Sequence, residues 1–148
     1  MTFQIEGLKL EELCAFLRLQ AEDTFPDLKN EERLIMLAEK WSSNAECSTC
    51  RNNEGQLIGM IAFYANHQGA DFAYIPHVYV SPMYRRKGIF SNMLEIVVRR
   101  IKEKGFHEIR LEVDRQNKRA QHSYQCNGFD IMPSYNSDLH SFFMSKIV

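Results

Sequence analysis

The chain has 148 residues, 45% of them hydrophobic and 25% charged, and a formal net charge of −1. That length predicts one domain, 1–148, which buries roughly two thirds of its unfolded surface without staples. Near-neutral charge removes any general attraction to nucleic acid or a membrane surface, so a basic feature has to be local. No apolar stretch approaches the roughly eighteen residues of a membrane span. The N-terminus, MTFQIEGLKLEELCAF, lacks the basic start and apolar run of a secretory leader. These features predict a cytoplasmic protein, with Cys14, Cys47, Cys50 and Cys126 as reduced thiols.

Phe3-Gln4-Ile5 alternates and predicts a first strand. Leu8, Leu10, Leu13, Phe16, Leu17 and Leu19 predict a helix over about 9–22, which Thr24-Phe25-Pro26-Asp27 breaks. Asn30 is an N-cap for a second helix, with Glu31 and Glu32 in its first turn. Leu34, Ile35, Leu37, Ala38 and Trp41 form its apolar stripe; this reads as core, or Trp41 and Phe25 line a pocket. Residues 45–51 read as a strand, 52–55 as a hairpin turn, and 57–65 as a central apolar strand. Cys47 and Cys50 form a C-x-x-C within a strand, where positions i and i+3 face opposite ways. That geometry predicts two unrelated thiols and no metal site.

A strand over about 71–80 follows, and Pro76 inside it predicts a bulge or splay. A helix over about 88–104 carries Ile89, Met93, Leu94, Val97 and Ile101 on one stripe and ends at Gly105. Ile109, Leu111 and Val113 alternate with polar residues in a strand. A helix from Asn117 to about 126 stops at Gly128-Phe129, and two further strands close the chain. The strand–helix–strand order over 78–114 requires a right-handed crossover if the strands are parallel. Together these elements predict an α/β fold with a mixed sheet and helices on both faces.

The basic turn before the third helix carries chemistry. Arg85, Arg86 and Lys87 precede Gly88, where a strand passes into a helix. Cations at a helix N-terminus oppose the dipole, unless an anion sits there. The first N–H groups of a helix lack intrahelical partners and, with a glycine beside them, build a phosphate site.

The spacing Arg85-x-x-Gly88-x-Phe90 resembles the pyrophosphate loop of the GCN5-related N-acetyltransferases, Gln/Arg-x-x-Gly-x-Gly/Ala. Phe90 departs from the small residue of that pattern. Asn117, Ala120, Tyr124 and Gly128-Phe129 resemble the second half of the same signature, and the close match covers 78–129. The resemblance implies the acyl-CoA N-acyltransferase fold and acetyl-CoA as cosubstrate. It implies that the backbone from Arg86 to Ser91, through Lys87, Gly88, Ile89 and Phe90, cradles the diphosphate, with Arg85–Lys87 adding charge. Val78, Tyr79 and Val80 would hydrogen-bond the pantetheine arm, and Asn117 would help hold the cofactor.

It further implies that Tyr124 is the acid at the leaving thiolate, whose conjugate acid has a pKa near about 8.5. The acceptor is then a primary amine of a small molecule or peptide, attacking the thioester directly. An ammonium near pKa about 10.4 has to lose a proton first. His77, beside the expected splay, and Glu112, on the fifth strand, are the two candidate bases. Cys126 falls on another helix face from Tyr124 and reads as a buried thiol. Acceptor choice is expected to lie in 20–44 and the loops at 66–71 and 133–139. There Asp23, Asp27, Glu31 and Glu32 either attract a cation or cap a helix.

Two other readings use the same residues. A silent acyl-CoA-binding or sensing module would share the loop and lack turnover. A nucleic-acid module would use Arg85–Lys87 with Arg99, Arg100, Lys102 and Lys104, against the neutral overall charge. The expected protein is a monomer or homodimer, with no nucleic-acid, membrane or metal partner.

Overall fold

A computed structural model describes residues 1–66, 71–133 and 140–148. The loops at 66–71 and 133–139 therefore fall largely outside the described residues. Among the described residues, seven strands and four helices run in the expected order: β1 (Thr2–Glu6), α1 (Leu10–Ala21), α2 (Glu31–Asn44), β2 (Glu46–Arg51), β3 (Leu57–Tyr64), β4 (Ala73–Val80), α3 (Ile89–Glu103), β5 (Glu108–Asp114), α4 (Lys118–Cys126), β6 (Asp130–Ile131) and β7 (Ser141–Ile147). Short 3₁₀ turns at Pro26–Lys29 and Pro82–Tyr84 mark the two proline breaks. The sheet is mixed, in the order β1-β2-β3-β4-β5-β7-β6, and is flanked by the helices. The chain forms two compact units, Met1–Phe63 with His77–Val97, and Tyr64–Pro76 with Val98–Val148.

In the first unit, β1 pairs antiparallel with β2, and β2 with β3. Both faces of β2 and β3 are covered, which explains the unbroken apolar run of β3. The hairpin between them closes on Asn52, whose Oδ1 accepts the N–H groups of Glu54 (3.0 Å) and Gln56 (2.9 Å). Arg51 ties the edge together: it donates to Glu6 (2.8 Å) and to Glu12 (2.7 Å). Asn30 caps α2 as expected, accepting Arg33 N–H at 3.1 Å.

The inward stripe of α1 is Leu13, Phe16, Leu17, Gln20 and Ala21. Leu10 and Leu19 are exposed, Leu19 by 67%. At 100° per residue Leu19 lies about 200° from Leu17, so the apolar count overstated the face. Ile35 of α2 is likewise exposed, while Leu34, Ala38 and Trp41 are buried at i, i+4 and i+7. The expected stripe of α3, from Ile89 through Ile101, is buried throughout. Ser48 fastens α3 from β2: its buried hydroxyl donates to the Met93 carbonyl at 3.0 Å.

In the second unit, β5 pairs antiparallel with β7, and β7 with β6. The parallel ladder of β4 with β5 joins Ala73, Tyr74 and Ile75 to Ile109, Arg110 and Leu111. It stops before Pro76, which has no N–H to donate. Gln121 is the buried polar link from α4 to β5, donating to the carbonyls of Asp114 (2.9 Å) and Arg115 (3.0 Å).

Candidate functional site

In the first unit the chain leaves β4 at Val80, makes the Pro82–Tyr84 turn and enters α3 at Ile89. Ser81 N–H donates to the Ile58 carbonyl at 2.8 Å, which pins the start of the turn to β3. Arg86 has φ 64° and Gly88 φ 76°, both left-handed. Such a value is uncommon for an arginine and costs on the order of 1 kcal/mol. Left-handed residues alternating with others turn successive N–H groups toward one concavity, which suits an anion. A Cβ built on Gly88 would meet nothing within 4 Å, so the surface above it is open and the φ value is what demands glycine. Arg86, Lys87 and Ser91 are exposed, Phe90 is half-buried, and Ile89 is buried. The Lys87 ammonium lies 5.7 Å from the Tyr84 ring.

Arg85 is half-buried, unlike the exposed Arg86 and Lys87 that follow it. Its Nε donates to the Val80 carbonyl at 2.8 Å, and its Nη2 donates to Asp23 and to Thr24 Oγ1 (3.2 Å). The guanidinium carbon sits 5.4 Å from the centre of the Tyr79 ring. Tyr79 OH donates to the same Asp23 oxygen at 3.0 Å. Burial, and then its bond to anionic Asp23, push the Tyr79 phenol up to about 12. Asp23 is thus neutralised, as are Asp27 by Arg33 (2.9 Å) and Glu31 by Arg18 (2.5 Å). Three of the four acids that would either attract a cation or cap a helix already hold a cation.

His77 shares the inward face of β4 with Ala73, Ile75 and Tyr79. It is only 8% exposed, and its ring centre lies 4.6 Å from that of Phe25 and 4.8 Å from that of Trp41, tilted to both. His77 Nε2 lies 2.5 Å from Gln20 Oε1. A carbonyl oxygen accepts, so the proton is on Nε2 and the lone pair on Nδ1. Burial pulls the imidazole down to about 4, opposed by the charge of Asp27. His77 is therefore neutral at pH 7. Gln20 was not singled out from sequence; a glutamine on the apolar stripe of α1 was the available signal.

The second unit holds the other expected residues. Glu112 is on the exposed face of β5 and accepts the Ser141 hydroxyl. Burial and the Glu112 charge both raise the Tyr74 phenol. Asn117 is the N-cap of α4, its Oδ1 accepting Ala120 N–H at 3.1 Å. Tyr124 is half-buried, and burial pushes its phenol up to about 12. Its ring centre is 5.8 Å from that of Phe129. Cys126, expected to be buried, is exposed, with Sγ 3.5 Å from His122 Nε2. The inward positions of the polar helix α4 are taken by Gln121 and Tyr124, and Cys126 lies about 200° from Tyr124.

Cys47 and Cys50 are both buried, because both faces of β2 are covered. Burial pushes the Cys47 thiol up to about 12 and raises that of Cys50. Neither is a reactive thiolate. Among the described residues, no group of three or more His, Cys, Asp or Glu could hold a metal ion. No described helix is long and apolar enough to cross a membrane.

The sequence model of the Acetyltransferase (GNAT) family matches residues 10–129. No curated protein sequence matches the chain. Among solved structures, the PaiA N-acetyltransferase of Thermoplasma acidophilum, in complex with coenzyme A, is similar with a TM-score of 0.75 and 23% identity, covering 100% of both chains. Ard1 of Thermoplasma volcanium is similar with a TM-score of 0.74 and 22% identity, over 100% of this chain and 99% of that one. A GNAT-family acetyltransferase of Staphylococcus aureus reaches 0.75 at 19% identity, over 99% of each. At these identities the structures establish the shared acyl-CoA N-acyltransferase fold, and the sequence match establishes kinship: the chain belongs to the GNAT acetyltransferase family.

Proposed function

We propose that the protein transfers an acetyl group from acetyl-CoA to a primary amine of a small molecule or peptide, by direct attack within a ternary complex. The observation that carries this reading is the loop before α3. Its left-handed Arg86 and Gly88, the open surface above Gly88 and the exposed Arg86 and Lys87 all suit a diphosphate. Acetyl-CoA supplies the activated thioester. The N–H groups from Arg86 to Ser91 hold its diphosphate, and the backbone of Val78–Val80 lies along its pantetheine arm. Support for the latter is the end of the β4–β5 ladder at Ile75, before these residues.

Tyr124 is the donor at the leaving sulfur. A phenol near 12 stays protonated across the working pH range. Full transfer to a free thiolate of pKa about 8.5 would be uphill by roughly 5 kcal/mol, so its contribution is a hydrogen bond that strengthens as charge develops. Of the two candidate bases, Glu112 is favoured by access: it is exposed, whereas His77 is buried, held by Gln20 and a weak base near 4. Asn117 serves by starting α4.

Thermal unfolding with and without acetyl-CoA tests the reading. A rise of roughly 5–10 °C at a hundredfold excess over Kd is expected. It should vanish when Arg86 and Gly88 are replaced together. Thioester consumption with a panel of amines then follows. Binding without consumption of any would favour the silent acyl-CoA module; no rise at millimolar acetyl-CoA would end the enzyme reading.

A further inference from the structure

Asp23 and Arg85 are 62 positions apart in sequence and meet in the first unit. One oxygen of Asp23, Oδ2, takes three donors: Thr24 Oγ1 at 2.7 Å, Tyr79 OH at 3.0 Å and Arg85 Nη2. The planar fork of Arg85 reaches the Val80 carbonyl with Nε while Nη2 holds Asp23 and Thr24. A lysine ammonium could not span these partners. The side chains of Arg85 and Asp23 are 28% and 31% exposed, so the pair is partly covered and is screened by salt less than a fully exposed pair. Arg85 is also the residue directly before left-handed Arg86. Its guanidinium therefore fixes the point from which the strained turn departs.

We propose that Asp23 is a positioning residue for the acyl-CoA loop. It holds Arg85 against the Val80 carbonyl and the Tyr79 ring, so that Arg85 shapes the loop while Arg86, Lys87 and the backbone meet the diphosphate. The motif arginine is thus a brace, and its anchor lies at the end of α1. This rests on the acyl-CoA reading of the loop. One consequence concerns β4: the Val80 carbonyl already accepts Arg85 Nε, so one of its two lone pairs is taken before any pantetheine binds.

Calorimetric titration with acetyl-CoA at low and high salt tests the brace, on the full chain and its Asp23→Asn, Arg85→Gln, Arg85→Lys and double Asp23→Asn/Arg85→Gln variants. Each single variant should weaken binding by about three- to tenfold, and the double variant no more than the weaker single, because both remove one interaction. Arg85→Lys keeps the charge but loses the fork, so it should bind as weakly as Arg85→Gln. The salt dependence of Arg85→Gln should match wild type, since no phosphate contact is lost. Amide exchange at 85–88 in unliganded Asp23→Asn should be faster than in wild type, and Asp23→Glu should restore part of the affinity.

The brace is overturned if Asp23→Asn binds as tightly as wild type while Arg85→Gln alone loses affinity with a shallower salt dependence. It is equally overturned if the two losses add, or if Arg85→Lys retains wild-type affinity. Wild-type protein that fails to bind acetyl-CoA at millimolar concentration would overturn the acyl-CoA reading itself, and the role of Asp23 with it. Wild-type binding with uncoupled variants would overturn the brace alone.

Discussion

The Tyr124 carbonyl accepts the Phe129 N–H at 3.0 Å, and the two rings lie 5.8 Å apart. With Gly128 N–H on the Gln125 carbonyl at 3.1 Å, this is a Schellman close with its hydrophobic contact. The five-residue run from Tyr124 to Gly128 therefore ends α4 and holds the Tyr124 backbone at once. Lys146 completes the end, donating to the Asn127 carbonyl at 2.8 Å.

Gly128→Ala should disturb both jobs. Gly128 has φ 92°, and a Cβ there would come within 2.6 Å of Lys146 Nζ. The lysine tip can move, so the left-handed strain dominates, at about 1–2 kcal/mol. Urea unfolding should show that loss. If the Tyr124 ring is displaced with its backbone, turnover should fall more than stability alone explains.

Tyr124→Phe should leave acetyl-CoA binding within about twofold and lower kcat by about a hundredfold or more, the scale of one oxyanion-type donor. Because the phenol lies near 12, the wild-type pH–rate profile should show no descending limb from this group below about pH 10. Unchanged turnover in the phenylalanine variant would remove Tyr124 from the chemistry.

His77 makes stability depend on pH. Its folded value near 4 is below its ordinary 6.5, so the unfolded chain binds a proton more readily. Stability from this group is complete above about pH 6.5 and is lost as pH falls toward 4, by on the order of 3 kcal/mol in all. Below 4 this group removes nothing more. Urea titrations at pH 7 and 4.5 should show the difference, and His77→Gln should flatten it. Gln20→Leu, which orphans the buried His77 N–H, should cost about 1–3 kcal/mol at pH 7.

Glu6 acts in the next window down. The bond from Arg51 holds its carboxyl down at about 2, from an ordinary 4.5, with Thr49 and Gln4 assisting against the cost of burial. Its contribution is full above about pH 4.5 and disappears as pH falls through 2, worth on the order of 2–3 kcal/mol. Arg51→Met leaves Glu6 and Glu12 facing each other and should cost about 3 kcal/mol at pH 7. The variant should lose less than wild type between pH 5 and 2.5, because Glu6 no longer has a depressed value to surrender.

Much of the molecule was written locally. Asn30 and Asn117 announce helix starts because a short side-chain oxygen reaches the N–H three residues on. Gly128-Phe129 announces a helix end because its bonds also span few residues. The alternation of β5 and the stripe of α3 follow from periods of 2 and 3.6. Leu19 and Cys126 were misplaced where residue type was weighed above angle around the helix. The sequence by itself determined the order of elements, the basic glycine loop before α3 and the family, since each rests on interactions within about a turn of helix or strand. Only the tertiary structure decided that Arg85 turns to Asp23, that His77 is neutral against Gln20, and that Ser48 holds Met93. Those partners are 45 to 62 positions apart. Strand pairing and helix docking bring them together, and no local period encodes which long-range polar groups will find each other when water is excluded.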